Sequence, residues 1–494
     1  MKQKILTVII LWLGLNGCTS FLEEHPADRL TTVNFYKTAK DAQAAVDAVY
    51  QQMHSLYNRN MYLLCDLPCD MMKNGLGMPN PFLQDMEFCR YDKANTFIRD
   101  MWTNCYSGVA KANAAIENIP AIKMDESLKN RYIGEARFLR ALYYFNLVRF
   151  YGDVPLVTQL GLAEATGPRT PKDQVYAFLI EDLTFAESAL PMRSSYASND
   201  KARASKEAAK CLLGKVYLTQ GNFESAKNKL AEVVEHEAEY GLGLQDDYKA
   251  NWKPATEAGK EAIIYIEYGV APLTINGEMS LIGPKYSVPG GSIGVAGSNE
   301  ADIPTKELYD SYDSKDKRRD FNLRYEYTNY TTKEVVKSSI PLYGKYWVDN
   351  VPSCDLCDIN MHVLRYADAL LMYAEALSET GDAQKALVVL NRVRERAFGD
   401  TSGDYTQTMS KEDFRNAILD ERKWEFPIEG HRWFDLVRTG KLKERMLAHA
   451  AYEASVAEKN KVEIAQNFKD YMILMPVPQE QIDLNKELTQ NPGW

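Results

Sequence analysis

Two stretches of this chain repeat one pattern, "AAKCLLGKVYLTQGNFESAKNKLAEVV" and "LRYADALLMYAEALSETGDAQKALVVLNRV". In the first, Leu213, Gly214, Tyr217, Gly221 and Ala226 fall at the offsets of a helix, a tight turn and a second helix. In the second, Ala374, Leu377, Gly381, Ala386 and Leu390 take the same register. Small residues let paired helices approach, and a glycine supplies the backbone freedom that the turn needs. A hairpin of this kind cannot bury its apolar face alone, so the repetition predicts stacked neighbours and a mostly helical fold. Two further pairs fit: "DAQAAVDAVYQQMHSLY" with "RDMWTNCYSGVAKANAAIENI", and "RYIGEARFLRALYYFNLVRFYGD" with "DQVYAFLIEDLTFAESALP". Their apolar residues recur at spacings of three and four, as core-facing helices require.

The offsets are tetratricopeptide-like, but the hairpins, over about 41–240 and 363–397, are not contiguous. Between the third and fourth lies an insertion over about 254–362. It holds the strand-like "EAIIYIEY" and then a run rich in Gly, Pro and Ser, which predicts irregular loops and short strands. A second loop-rich region spans about 60–98. Long ordered loops on a helical scaffold are where binding usually resides.

The N-terminus reads differently. Lys2 and Lys4 precede an apolar run, Ile5 to Leu15, of signal-peptide length and too short to span a bilayer. Leu15, Asn16 and Gly17 before Cys18 resemble a bacterial lipoprotein cleavage site. Residues 1–17 are therefore expected to be a signal peptide, with Cys18 the lipidated first residue of a tether over 18–40 and the rest, 41–494, a single domain. Glu23 and Glu24 resemble the surface-export signal of Bacteroidetes-type lipoproteins.

A net charge of -10 argues against a phosphate-binding surface and so against nucleic acid as a partner. Thirty Tyr and seven Trp suit large cores and also surfaces that grip sugars or peptides. Seven cysteines would remain after Cys18, an odd number that cannot pair completely. Cys65-x3-Cys69 and Cys354-x2-Cys357 have spacings that suit a four-thiolate zinc site. An exported context favours instead a loop disulfide or two with buried free thiols, so no metal or other cofactor is expected.

Gly290-x-Ser292-x-Gly294 matches the nucleophile elbow of serine esterases, yet prolines precede it and no helix pattern follows, which favours a flexible loop. The sequence contains no H-E-x-x-H, Walker or Rossmann motif. In "LDERKWEFPIEGHRWFDLVRTGK", Glu421, Arg422, Glu425, Glu429, Arg432, Asp435 and Arg438 alternate in sign beside Trp and Phe, the composition of a partly buried ion network.

These segments, taken in order with "CTSFLEEHP", "NFYKTAKDAQAAVDAVY" and the terminal "YMILMPVPQEQIDLNKELTQNPGW", resemble the SusD/RagB family nearly end to end. Departures occur at Pro427-Ile428, where the family more often has a small residue then an aromatic, and at Lys486, where it more often has proline. The resemblance implies a SusD-like fold of four tetratricopeptide-like helical hairpins, with a loop-rich, irregular ligand-binding face, a few short strands and C-terminal family motifs over about 410–494. It also implies a non-catalytic lipoprotein, lipid-anchored at the outer membrane and facing the cell surface. Such a protein captures an oligosaccharide or polysaccharide, or in some members a peptide, and passes it to a SusC-like TonB-dependent transporter. An exported hydrolase or a repeat adaptor that only scaffolds the transporter are the readings from other classes.

The family's ligand contacts lie in variable loops, so candidates come from position and chemistry. A sugar site needs stacked aromatics flanked by amide, carboxylate or guanidinium groups. Asp70, Asn74, Phe82, Arg90 and Tyr91 in the first loop region, with Tyr286, Tyr343, Tyr346 and Trp347 in the second, supply that mixture. Trp102, at helical spacing from Tyr106, reads as core.

Overall fold

In the computed structural model, residues 35–75, 79–160, 167–269, 281–282, 297–456 and 463–494 are described. Cys18, Tyr286 and the Gly290–Gly294 motif lie outside them.

The principal helices follow the expected order: α1 (Ala39–Leu56), α2 (Thr96–Asn118), α3 (Glu126–Tyr151), α4 (Lys172–Ala189), α5 (Lys206–Thr219), α6 (Phe223–Val234), α7 (Tyr366–Glu379), α8 (Ala383–Phe398), α9 (Lys411–Glu425) and α10 (Arg432–Arg438). Local chemistry starts them. Thr38 and Asp41 form a reciprocal capping box at α1, and Asn95 accepts from the Phe97 N–H (3.0 Å) at α2. The expected pairs α1/α2, α3/α4, α5/α6 and α7/α8 pack side by side.

Gly108 and Gly214 explain how closely helices approach, the first between successive pairs and the second within one. A Cβ on Gly108 would sit 2.4 Å from the Tyr143 ring of α3, and one on Gly214 would sit 2.5 Å from Leu230 of α6. Gly221 (φ +72) and Gly381 (φ +98) take the left-handed turns between paired helices. Beyond each, the next N–H reaches back to a carbonyl of the last helical turn, Asn222 to Tyr217 and Asp382 to Leu377, both at 2.9 Å. Trp102 is core as expected, 1% exposed and packed on Tyr106 and Tyr151.

Six short strands make three antiparallel pairs: β1 (Met72–Asn74) with β3 (Asp302–Pro304), β2 (Ala262–Ile266) with β6 (Met361–Arg365), and β4 (Leu323–Thr328) with β5 (Val335–Tyr343). The β1–β3 pair joins the two loop-rich regions, in the register Met72↔Pro304 to Asn74↔Asp302.

The C-terminal motif is buried as an ion network. Glu425 accepts from Arg318 (2.7 Å), Arg365 (2.5 Å) and Arg396 (2.5 Å), and Glu429 pairs with Arg365 (2.7 Å) and Lys345 (2.5 Å). Glu261 and Glu421 complete the set against Arg365, Arg396, Arg318 and Arg394. Beside it, Arg422 bridges Asp368 and Asp435, each at 2.7 Å. Burial alone would raise the Glu429 carboxyl, but the Arg365 and Lys345 charges outweigh it and hold it at about 2. Pro427-Ile428 carries local strain: Ile428 has φ +53, rare for a β-branched residue, and is held by its N–H donating to Asp66 Oδ2 (2.8 Å).

The expected loop disulfides are not formed. All seven cysteines described are separate, buried thiols, each seated in its own packing site. Cys65 lies beside Met61 sulfur, Cys105 beside Met101 sulfur, and Cys357 faces the Tyr346 carbonyl. Nor do Cys65, Cys69, Cys354 and Cys357 converge: no group of three or more metal-binding side chains forms among the described residues.

Candidate functional site

The two loop regions meet at the C-terminal end of α1. Arg59 holds Asp302 with two hydrogen bonds (2.9 and 2.6 Å), the Tyr62 hydroxyl donates to the same carboxylate (2.8 Å), and the Gly75 N–H donates to the Ala301 carbonyl (2.7 Å). Tyr343 reaches across to donate to the Met71 carbonyl (2.9 Å). Sequence reasoning placed ligand contacts in both regions, and the chain does bring those regions together.

It does not expose most of the residues named. Asp70 is buried and accepts from Arg432 at 2.7 and 2.5 Å; burial would raise its carboxyl, yet the Arg432 charge holds it well below the usual range. Tyr91 packs under Trp494, Tyr346 is wholly buried, and Trp347 sits edge-on to Tyr327 with its N–H on Asp349 (3.0 Å). With Tyr343, these five build the junction and offer a ligand no open face. The reason is the insertion's own size: a loop region this long needs a core of its own, and its large aromatics fill it.

Three candidates do reach the surface. Phe82 is half-buried in the first turn of the short helix Pro81–Glu87, and Asn74 is half-buried with its side-chain oxygen unpaired among the described residues. Arg90 is exposed and pairs with Asp85 and Glu463.

A cleft of about 410 Å3 lies close by, and its lining escaped the sequence reading. α1 contributes Asp47, Tyr50 and His54, the segment before α5 contributes Asp200 and Arg203, and the end of β2 contributes Tyr265 and Glu267. His54 is only five residues from Arg59, so cleft and loop junction share one end of the scaffold.

Each wall is positioned by a specific contact. Arg203 spans Asp47 (2.5 Å), Asp200 (2.9 Å) and Glu135 (2.9 Å). The Tyr50 hydroxyl accepts from the Ala204 N–H (2.8 Å). Tyr268, whose N–H donates to Asn360 Oδ1 (2.8 Å), stands edge-on to His54 at 5.0 Å. Burial lowers the His54 imidazole from its ordinary value and keeps it neutral; its Nδ1 is buried without a partner among the described residues. Burial and then the Asp200 charge raise the Glu267 carboxyl. Half-exposed rings beside carboxylates, a guanidinium and an imidazole can meet both the C–H faces and the hydroxyls of a sugar. The "YIEY" strand exit was visible in sequence, but nothing local ties Tyr268 to His54, which is 214 positions earlier.

Comparison with known proteins places this geometry. Residues 355–494 match the SusD family, and residues 20–218 match a SusD-like family described as starch-binding and associating with the outer membrane. SusD-like protein P2 of Formosa agariphila is 29% identical, with all of both chains covered. Among solved structures, a SusD homolog from Bacteroides thetaiotaomicron superposes with a TM-score of 0.81 at 26% identity, covering 94% of this chain and 98% of that one. A laminarin-binding SusD-like protein superposes with a TM-score of 0.77, also at 26% identity, covering 93% of this chain and 100% of that one. With both ends of the chain matched in sequence and nearly its whole length matched in structure, the protein belongs to the SusD-like family.

Proposed function

We propose that this protein is a non-catalytic surface lipoprotein that captures an oligosaccharide and delivers it to a SusC-like TonB-dependent transporter. The observation that carries this reading is the likeness, along nearly the full length, to a solved SusD-like protein that binds laminarin. Two features of the chain support it. The cleft at the end of α1 combines Tyr50, His54 and Tyr265 with Asp47, Asp200, Arg203 and Glu267, Tyr268 packs edge-on to His54, and Asn74, Phe82 and Arg90 lie on the first loop region. The carboxylates of the C-terminal motif, the densest set in the sequence, are committed to guanidinium partners in the interior and are not offered to a substrate as acid and base. Cys18 supplies the lipid that holds the domain at the outer membrane beside its transporter.

Calorimetric titration with a panel of laminari-, malto- and xylo-oligosaccharides and a peptide digest tests the reading. Saturable binding of one glycan class without release of reducing ends is the expected result. Binding confined to peptides would reassign the ligand, and turnover of any glycan would overturn the non-catalytic assignment. Co-purification of the membrane-anchored protein with a TonB-dependent transporter, lost in Cys18→Ala, tests the anchor and the partner together.

A further inference from the structure

A second cleft, of about 360 Å3, opens where the C-terminal ends of α3, α5 and α10 meet the start of α4, with Ile473 and Leu474 on its edge. Its charged lining is Arg149, Lys172 and Arg438 against one carboxylate, Asp173. Glu375 and Asp435 already neutralise Arg438. Arg149 has no such partner among the described residues. Its guanidinium lies 3.6 Å from the centroid of the Phe434 ring and 3.9 Å from that of Phe145. Its hydrogen bonds go to the Phe145 carbonyl (3.1 Å) and to Asn146 Oδ1 (2.5 Å). Asp435, whose charge reaches it, is taken by Arg422 and Arg438.

A cation in the last turn of a helix is favoured by the helix dipole while it stays in water. Held between two aromatic faces and half-buried, it loses part of that water, and burial pushes the Arg149 guanidinium down from its ordinary range. A charge kept in such a place without a counter-ion destabilises the fold. Tyr176 of α4, 8% exposed, also lines the cleft, and its hydroxyl makes no hydrogen bond among the described residues. Two donors thus face one cavity in which Asp173 is the one carboxylate, set against Arg149, Lys172 and Arg438. Val148, Ile473 and Leu474 give the same cavity an apolar edge, and Ile473 is 47% exposed.

We infer that this cleft is a second ligand site, one that takes the carboxylate of a small organic acid with an apolar body. Arg149 and the Tyr176 hydroxyl donate to the carboxylate, and the apolar edge covers the body.

Titration of the intact chain with benzoate, with benzyl alcohol as its uncharged counterpart, tests the inference. Saturable benzoate binding is expected, with none for the alcohol. Arg149→Met should abolish it, and Tyr176→Phe, which keeps the ring and so the packing, should weaken it about tenfold. Sulfate should compete with benzoate, because the oxyanion is the group recognised. Should Arg149→Met fail to fold, Tyr176→Phe carries the test. Equal binding of benzyl alcohol, no saturation by benzoate, or an unchanged affinity in Tyr176→Phe would each overturn the inference. Failure here is separable from failure of the glycan reading: Tyr176→Phe should leave oligosaccharide binding intact, and His54→Ala should leave benzoate binding intact.

Discussion

The interior of the C-terminal motif and the cleft at the end of α1 are built from the same kinds of residue and treat them in opposite ways. Around Glu425 and Glu429, every carboxylate meets guanidinium or ammonium groups at 2.5–2.8 Å and water is excluded. At the cleft, Asp47, Glu267 and the ring of His54 keep part of their surface open, and His54 Nδ1 has no partner among the described residues. A saturated polar network fixes structure, because any lost partner strands a buried charge. An unsaturated one at the surface is available to a ligand. Charge density along the sequence therefore locates the scaffold here, and incomplete pairing marks the cleft proposed to bind.

Breaking the interior should have the largest effect. Glu425→Gln removes the carboxylate that Arg318, Arg365 and Arg396 share and leaves the buried network with an excess positive charge, so urea denaturation should show a loss of about 3–5 kcal/mol or outright unfolding. A midpoint shifted by less than 1 kcal/mol equivalent would mean that the network is not what holds the motif. Beside the cleft, Tyr268→Ala removes the ring that packs on His54 and should lower glycan affinity on the order of tenfold while the urea midpoint barely moves. A drop in stability with affinity intact would reverse the assignment of the two regions. Tyr343→Phe sharpens the boundary between them: removal of its hydroxyl bond to Met71 should cost about 1 kcal/mol of stability. Glycan binding should be unchanged, because the residue packs the junction and does not face a ligand.

The pH dependence tests the interior in a second way. Burial and then the Lys215 charge push the buried His431 down to about 3, so the unfolded chain binds a proton there that the folded chain refuses. Stability from this residue is present above about 6.5 and is lost as pH falls from there towards 3. His431→Gln should flatten that part of the stability curve, measured as the urea midpoint between pH 7 and 4. Glu429 acts lower on the scale: held at about 2, it gives up its contribution only as pH falls below the ordinary carboxylate range.

Much of the scaffold was legible in sequence. Gly214 and Gly221 announced a close helix pair and its turn, and both do that work within the one hairpin. The alternation of sign around Glu425 correctly indicated an ion network, because the motif carries several of its own partners. The residues proposed to face a ligand were legible only in part. Tyr343, Tyr346 and Trp347 have the composition of a sugar platform, yet they fill the core of the insertion. Cys65 and Cys69 have the spacing of paired ligands, yet each packs alone.

What the sequence determined by itself was whatever depends on near neighbours: helix periodicity, caps, turns, the signal-like N-terminus and the ordered motifs of the family. What only the tertiary structure decided was which polar groups are satisfied. Arg365 finds its carboxylates at 261, 425 and 429, and His54 finds Tyr268, across separations that no local pattern spans. Whether a charge is scaffold or site depends on its burial and on the partners that folding brings to it, and both are properties of the packed chain.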